Sequence, residues 1–339
     1  MSVSRTAIRC ACTLAFTLAA ALAAPKEAGD SLSLDLVLGY YPPNLDGYDS
    51  TGFAPVDFGV IEGGPGQRDL GTGWGGVAAL ATLTYARPLQ PFTGGPLLSG
   101  AGLVLAGRIE LSPVTVEASG FLTLKPAAFL ELQAGASTGT GWSLGFVGLA
   151  LNPTPDLDPV EETPFGGALY RAWFTGTLQF DLAALFPGEW NHIVARASSR
   201  FELLGNTAAA PGQAWYWQAD EGMNFNGWRH LGTYVLGYRM PLRLSFVGVM
   251  VETEAWLGRP RAYAPMTTGW GSDFVTVRVS PLASLSLGDR DSLSFLVQLK
   301  GARDWTDSTA RNRSFQQRDY EGRVWKLDRI LLSYARRLR

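Results

Sequence analysis

The chain has 339 residues, 46% of them hydrophobic and only 17% charged, with 40 glycines, 11 tryptophans and a net charge of −2. That charged fraction lies below the ~25% of ordinary globular domains, and with so much glycine and tryptophan it suits a sheet that faces lipid on one side and something polar on the other. No basic surplus exists to neutralise phosphates, so nucleic acid is excluded as a partner.

Residues 1–23 read as a secretory signal peptide. Arg5 and Arg9 form a positive start, Leu14 to Ala20 an apolar core, and Ala21-Leu22-Ala23 a small-residue cleavage site. Both cysteines, Cys10 and Cys12, lie inside it, so the mature chain is expected to have no disulfide and no thiolate chemistry. Removing Arg5 and Arg9 takes the net charge from −2 to −4. Residues 24–339 are expected to form one domain. Past residue 24 no apolar run is long enough for a spanning helix.

From there the chain reads as strand after strand. Over 31–40, Leu32, Leu34, Leu36 and Leu38 alternate with Ser31, Ser33 and Asp35. A Gly/Pro/Asp-rich stretch follows, with a weak strand over 53–62, and the next strand spans 77–85. Gly71-Thr72-Gly73-Trp74-Gly75-Gly76 matches the dinucleotide fingerprint GxGxxG, but no apolar strand leads into it and no acidic residue stands about twenty positions on, so the match is chance. Leu103 to Leu111 turns at Ser112-Pro113 into Val114 to Leu124, and 128–137 and 142–151 continue the meander. An acidic loop leads to Tyr170, Ala172, Phe174, Leu178 and Phe180, alternating with Arg171, Thr175, Thr177, Gln179 and Asp181. Beyond Pro187-Gly188 a strand sets Ile193, Ala195, Ala197 and Phe201 against His192, Arg196, Ser198, Arg200 and Glu202.

Strands over 231–240 and 242–257 meet at Met240-Pro241. The clearest hairpin comes next. Val275, Val277, Val279, Ala283, Leu285 and Leu287 oppose Thr276, Arg278, Ser280, Ser284 and Ser286; after Gly288–Asp291, Leu293, Phe295, Val297 and Leu299 oppose Ser292, Ser294, Gln298 and Lys300. Only Leu282 and Leu296 break the alternation. A last strand carries Ile330, Leu332 and Tyr334 on one face. A period of two puts one set on each side of a sheet, and arms of about ten residues cross a bilayer at a tilt. Counting 53–62 as a strand predicts about 14 strands, within 12–16. The fold class expected is all-β: a transmembrane antiparallel up-and-down β-barrel, with short turns at one end and long loops at the other.

These arms, and the aromatics at their ends, resemble bacterial outer-membrane β-barrel proteins as a class, over 31–339. The aromatics include Tyr40, Tyr85, Trp190, Trp228 and Trp256, with Trp74, Trp142, Tyr170, Trp270 and Tyr334 as the lipid-interface candidates. Many members of that class end in an aromatic residue read by assembly machinery, whereas this chain ends Arg337-Leu338-Arg339. The resemblance implies an outer-membrane location, with outer-membrane lipids and the barrel-assembly machinery as partners.

Catalysis and metal binding find little support. His192 and Ser198 share a face but stand about 20 Å apart along the strand, and His230 borders a predicted loop. No His/Cys/Asp cluster has ligand spacing, and Asp156, Asp158, Glu161 and Glu162 read as a solvated loop. Neither an enzyme nor a cofactor is expected. The lumen-facing charged candidates are Arg108, Glu110, Glu117, Arg171, Asp181, Arg196, Arg200, Glu202, Arg278 and Lys300, joined by Lys125 and Glu131. Mixed signs across a lumen either pair and plug a narrow barrel or line a water-filled path for small polar solutes. The leading expectation is a channel, with a plugged structural or surface-interaction barrel second and a soluble exported β-sheet binding protein third.

Overall fold

In the computed structural model, the residues described are 30–41, 58–61, 64–67, 76–91, 101–142, 148–151, 165–218, 223–258, 271, 273–305 and 320–338. The expected signal peptide, Trp74, Trp270 and the 156–162 acidic cluster lie outside them.

Twelve strands close into one antiparallel barrel. They are β1 (Ser31–Tyr41), β2 (Gly76–Pro91), β3 (Gly102–Leu111), β4 (Thr115–Ala127), β5 (Leu130–Gly141), β6 (Leu169–Asp181), β7 (His192–Asn206), β8 (Gly227–Arg239), β9 (Leu244–Leu257), β10 (Thr276–Ser286), β11 (Asp291–Trp305) and β12 (Tyr320–Arg337). Each pairs with the next in sequence, and β12 closes on β1 through pairs such as Leu38↔Leu332 and Leu36↔Tyr334. Closure leaves no unpaired edge, as backbone in lipid requires. Among the described residues no helix is long and apolar enough to cross a membrane.

The expectation of about 14 strands is corrected to 12. The two surplus strands exist but stand outside the wall. Within 53–62, Phe58–Ile61 pairs, among the described residues, with Gly64–Gln67 alone. Within 142–151, the strand is Leu149–Leu151, which pairs with Trp215–Trp217. The wall has no place for it, because β5 pairs directly with β6 through Gly139↔Leu169. Sidedness is corrected with the count. Ser112-Pro113 turns at the end that carries the long connections, opposite the three short turns at Pro187-Gly188, Met240-Pro241 and Gly288–Asp291. Lys125-Pro126 lies inside β4, which ends at Ala127.

The outside of the barrel is apolar. Leu38, Ile109, Phe174, Leu178, Leu236 and Phe295 are all exposed. A water-soluble sheet would hide such side chains; here they form a belt, the arrangement of a membrane barrel. On β8 the belt is bracketed by Trp228 at the long-loop end and Tyr238 at the short-turn end, where Tyr238 Oη donates to the Trp190 carbonyl at 2.7 Å. Tyr170 stands on the outer face at the long-loop end. Near the short turns, Tyr334 Oη donates to Asp291 Oδ1 at 2.5 Å. Trp142 sits beyond the wall at the long-loop end, its Nε1 donating to the Pro113 carbonyl at 2.9 Å. Trp256 does not belong to this set. It pairs in register with the buried Arg229 and faces inward.

Two local irregularities shape the interior. The β10–β11 ladder pairs Val279↔Leu299 and then Leu282↔Leu296, a gap that coincides with Pro281, which has no N–H to donate. On β12 the register jumps between Leu299↔Leu327 and Gln298↔Arg329, a bulge that turns both Asp328 and Arg329 inward.

Candidate functional site: the lumen

Period-two alternation delivers a polar set to the inner face of nearly every strand. The structure places Arg108, Glu110, Glu117, Arg171, Asp181, Arg196, Arg200, Glu202, Arg278 and Lys300 there, and all but Arg108, Asp181 and Arg200 are at most 8% exposed. Such a narrow barrel fills much of its interior with its own side chains. Three levels can be distinguished.

At the long-loop end, the mouth is occupied by folded-in connections. Leu149–Leu151, from the β5–β6 connection, pairs with Trp215–Trp217 from the β7–β8 connection. Their buried residues Leu149, Trp215 and Trp217 pack on Leu169 and Leu204 of the wall. Gly139 faces inward in register with Glu117, and a β-carbon there would stand 3.1 Å from Trp217 Cη2. The bare backbone at this glycine thus lets the indole lie inside the barrel. Gln218 fastens the fold: its N–H donates to the Gly148 carbonyl at 2.7 Å and its Nε2 to Thr115 Oγ1 at 2.8 Å.

Below the mouth runs an ionic ladder. Glu202 on β7 takes an ion pair from Arg200 on its own strand and hydrogen bonds from Arg229 Nε (2.9 Å) and Nη2 (2.5 Å) on β8. Arg229 Nη1 continues to Glu254 Oε1 on β9 at 3.0 Å, and both terminal nitrogens of Arg278 on β10 reach Glu254 Oε2 at 3.3 Å. Gln298 on β11 donates to Glu252 at 2.7 Å and to Ser280 at 3.0 Å. Along the adjoining wall, β3 to β7, Arg108 meets Glu110 (3.5 Å), Arg171 meets Glu117 (3.9 Å), and Glu131 meets Lys125 (3.2 Å) and Arg196 (3.8 Å). Arg200 also lies over the Trp173 ring, 4.3 Å from its centroid. Pairing is not complete. Among the described residues no group accepts a hydrogen bond from Arg196 Nε or Nη1, or from Arg278 Nε.

Below the ladder is an apolar band. Val37, Leu80, Val194, Val235, Phe246, Met250, Leu282, Leu296 and Leu331 form one cluster, each no more than 6% exposed. Register explains its continuity: Met250↔Val235, Leu282↔Leu296 and Val37↔Leu80 are cross-strand partners, and Leu296 pairs on its other side with Leu331. Leu282 and Leu296, the two breaks in the sequence alternation, are its centre.

The inward charges also include Arg229, Glu252, Glu254, Asp328 and Arg329, which the sequence does not single out. Arg229 precedes the strand expected over 231–240, and the β12 bulge displaces Asp328 and Arg329 from any simple alternation. For the β9 pair the signal was present, since Glu252 and Glu254 alone break that strand's symmetry. The histidines also part company. At the short-turn end of the lumen, His192 Nδ1 lies 2.7 Å from Asp181 Oδ2. His230 is in β8, not beside a loop, and on the outer face its Nε2 lies 2.8 Å from Ser199 Oγ. No group of His, Cys, Asp and Glu suited to a metal ion occurs among the described residues.

The chain has the closed, inside-polar barrel of bacterial outer-membrane proteins. No protein-family model matches it, and no curated protein does. Among solved structures it is similar to a KdgM porin (8% identity, 90% of this chain and 98% of that one, TM-score 0.38). It is similar also to the beta domain of the Bordetella autotransporter BrkA (11%, 91% and 99%, TM-score 0.39) and to a Pseudomonas aeruginosa FadL homologue (12%, 91% and 89%, TM-score 0.33).

Proposed function

We propose that the protein is an outer-membrane channel for small polar solutes, shut in the conformation described here. The observation that carries this reading is the set of buried donors on Arg196 and Arg278 that no described group accepts from. A buried donor left without an acceptor costs roughly 1–3 kcal/mol. A barrel whose only task was to stand in the membrane would be as stable, or more so, with apolar residues at such positions. A conduit, by contrast, uses spare donors to replace the water a solute leaves behind. The apolar band then acts as the barrier: a dry constriction opposes both water and ions.

Purified protein in planar bilayers is expected to give discrete conductance steps. Replacing Met250 and Leu296 together with serine should lengthen the open state, because the band can then hold water. A plugged structural barrel is the second reading, favoured by the near-complete burial of the band and by Trp215 and Trp217 in the mouth. Silence of both the native protein and the serine variant, across voltages and salts, would establish that reading instead.

A further inference from the structure

The outer face of β7–β9 carries a polar cluster that neither a channel nor a plug requires. Ser199, Gly232 and Thr253 lie side by side in register across the three strands. Two strand spacings make this row about 10 Å wide. Gly232 at its centre has no side chain, and a β-carbon there would run into Thr253 Oγ1 and stand 3.0 Å from Tyr234 Oη. Ser199 Oγ is hydrogen-bonded to His230 Nε2 at 2.8 Å, and the imidazole lies 5.1 Å from the Phe201 ring, which fixes its plane. Two hydroxyls, of Thr253 and Tyr234, thus crowd one bare backbone position in register with the Ser199 of the Ser199–His230 pair, on a face where lipid tails offer no partners. The surrounding outer face is apolar, with Phe201, Trp228 and Leu236 all exposed.

Depth gives the cluster a meaning. His230 is two residues from Trp228 on the same face, so with the usual strand tilt it sits roughly 5 Å inward of the aromatic ring at the long-loop end. That is the level of the glycerol esters of the outer leaflet. We propose that this cluster is an acyl-ester-cleaving site for outer-leaflet lipids, independent of whether the lumen conducts. Ser199 Oγ attacks the ester carbonyl while its proton passes to His230 Nε2, forming an Oγ–acyl bond and a tetrahedral oxyanion. The hydroxyls of Tyr234 and Thr253 are the donors available to that oxyanion. Collapse breaks the bond to the glycerol oxygen, which takes the proton from His230 and leaves as a lysolipid. Water from the interface, deprotonated by His230, then releases the fatty acid and restores Ser199.

The test uses the full mature chain in mixed micelles of detergent and phosphatidylethanolamine, with fluorophosphonate labelling as a second readout. Fatty-acid release is expected, with the phosphonate adduct mapped to Ser199. Ser199→Ala should abolish both, and His230→Gln should slow both by about 10²-fold or more. Tyr234→Phe and Thr253→Val should lower turnover while leaving the heat-modifiable electrophoretic shift of the folded barrel in place. Absence of both fatty-acid release and labelling from native protein that shows that shift overturns the proposal, and so does full activity in Ser199→Ala.

Discussion

The ionic ladder and the apolar band occupy the same inner wall, built by the same alternation, yet they solve opposite problems. In the ladder, Glu202, Arg229, Glu254 and Arg278 hold each other through charge-assisted hydrogen bonds, and each member depends on its neighbours. In the band, Met250, Leu282 and Leu296 need no partner beyond close packing. The ladder is therefore brittle and the band forgiving. A charged stretch of lumen is intolerant of single deletions even where it could admit water, whereas an apolar stretch excludes water and tolerates exchange of one hydrocarbon for another.

The largest break should come from Arg229→Ala, which takes two hydrogen bonds from buried Glu202 and one from Glu254, leaving them to Arg200 and Arg278. A loss of about 3–5 kcal/mol, read from unfolding in detergent, is expected. Next is Phe295→Arg, which puts a charge on the lipid side of β11 and should cost ~2–4 kcal/mol near the midplane, with poor membrane assembly as the visible result. Gln298→Leu removes the donor to Glu252 and Ser280 at the junction of the two regions, for about 1–3 kcal/mol. Smaller still in energy, but sharper in meaning, is a pair of cysteines. One at 295 should react with lipid-phase probes only. One at 294, buried where Ser294 bonds Ser284 at 2.8 Å, should resist both lipid-phase and aqueous reagents until the Met250/Leu296 serine variant admits water.

Much of this architecture is legible in the sequence because alternation is a local property. The hairpin of β10 and β11 reads correctly as two arms with opposed faces from the residues alone. What alternation cannot report is whether a strand finds a partner in the wall. Over 142–151 the pattern promises a thirteenth or fourteenth stave, but direct pairing of β5 with β6 sends that segment into the mouth. The band was visible only as two exceptions, Leu282 and Leu296. Taken singly they look like noise; placed opposite each other in register they are a structure. The Ser199–His230 pair escaped for the same reason, since it spans two strands and needs their register before it exists.

The folded-in sheet at the mouth joins segments more than sixty positions apart, Leu149–Leu151 and Trp215–Trp217, and Gln218 ties both to Thr115. Closing loops of that length carries an entropic cost that only a finished wall can offset. The mouth must therefore set last, after β3 to β8 have taken their places. The same logic runs in reverse: these segments should open together, as one cooperative unit well below the global unfolding threshold. Amide exchange at Ala150 and Tyr216 should then share a single opening rate, faster than that of any wall strand beneath them.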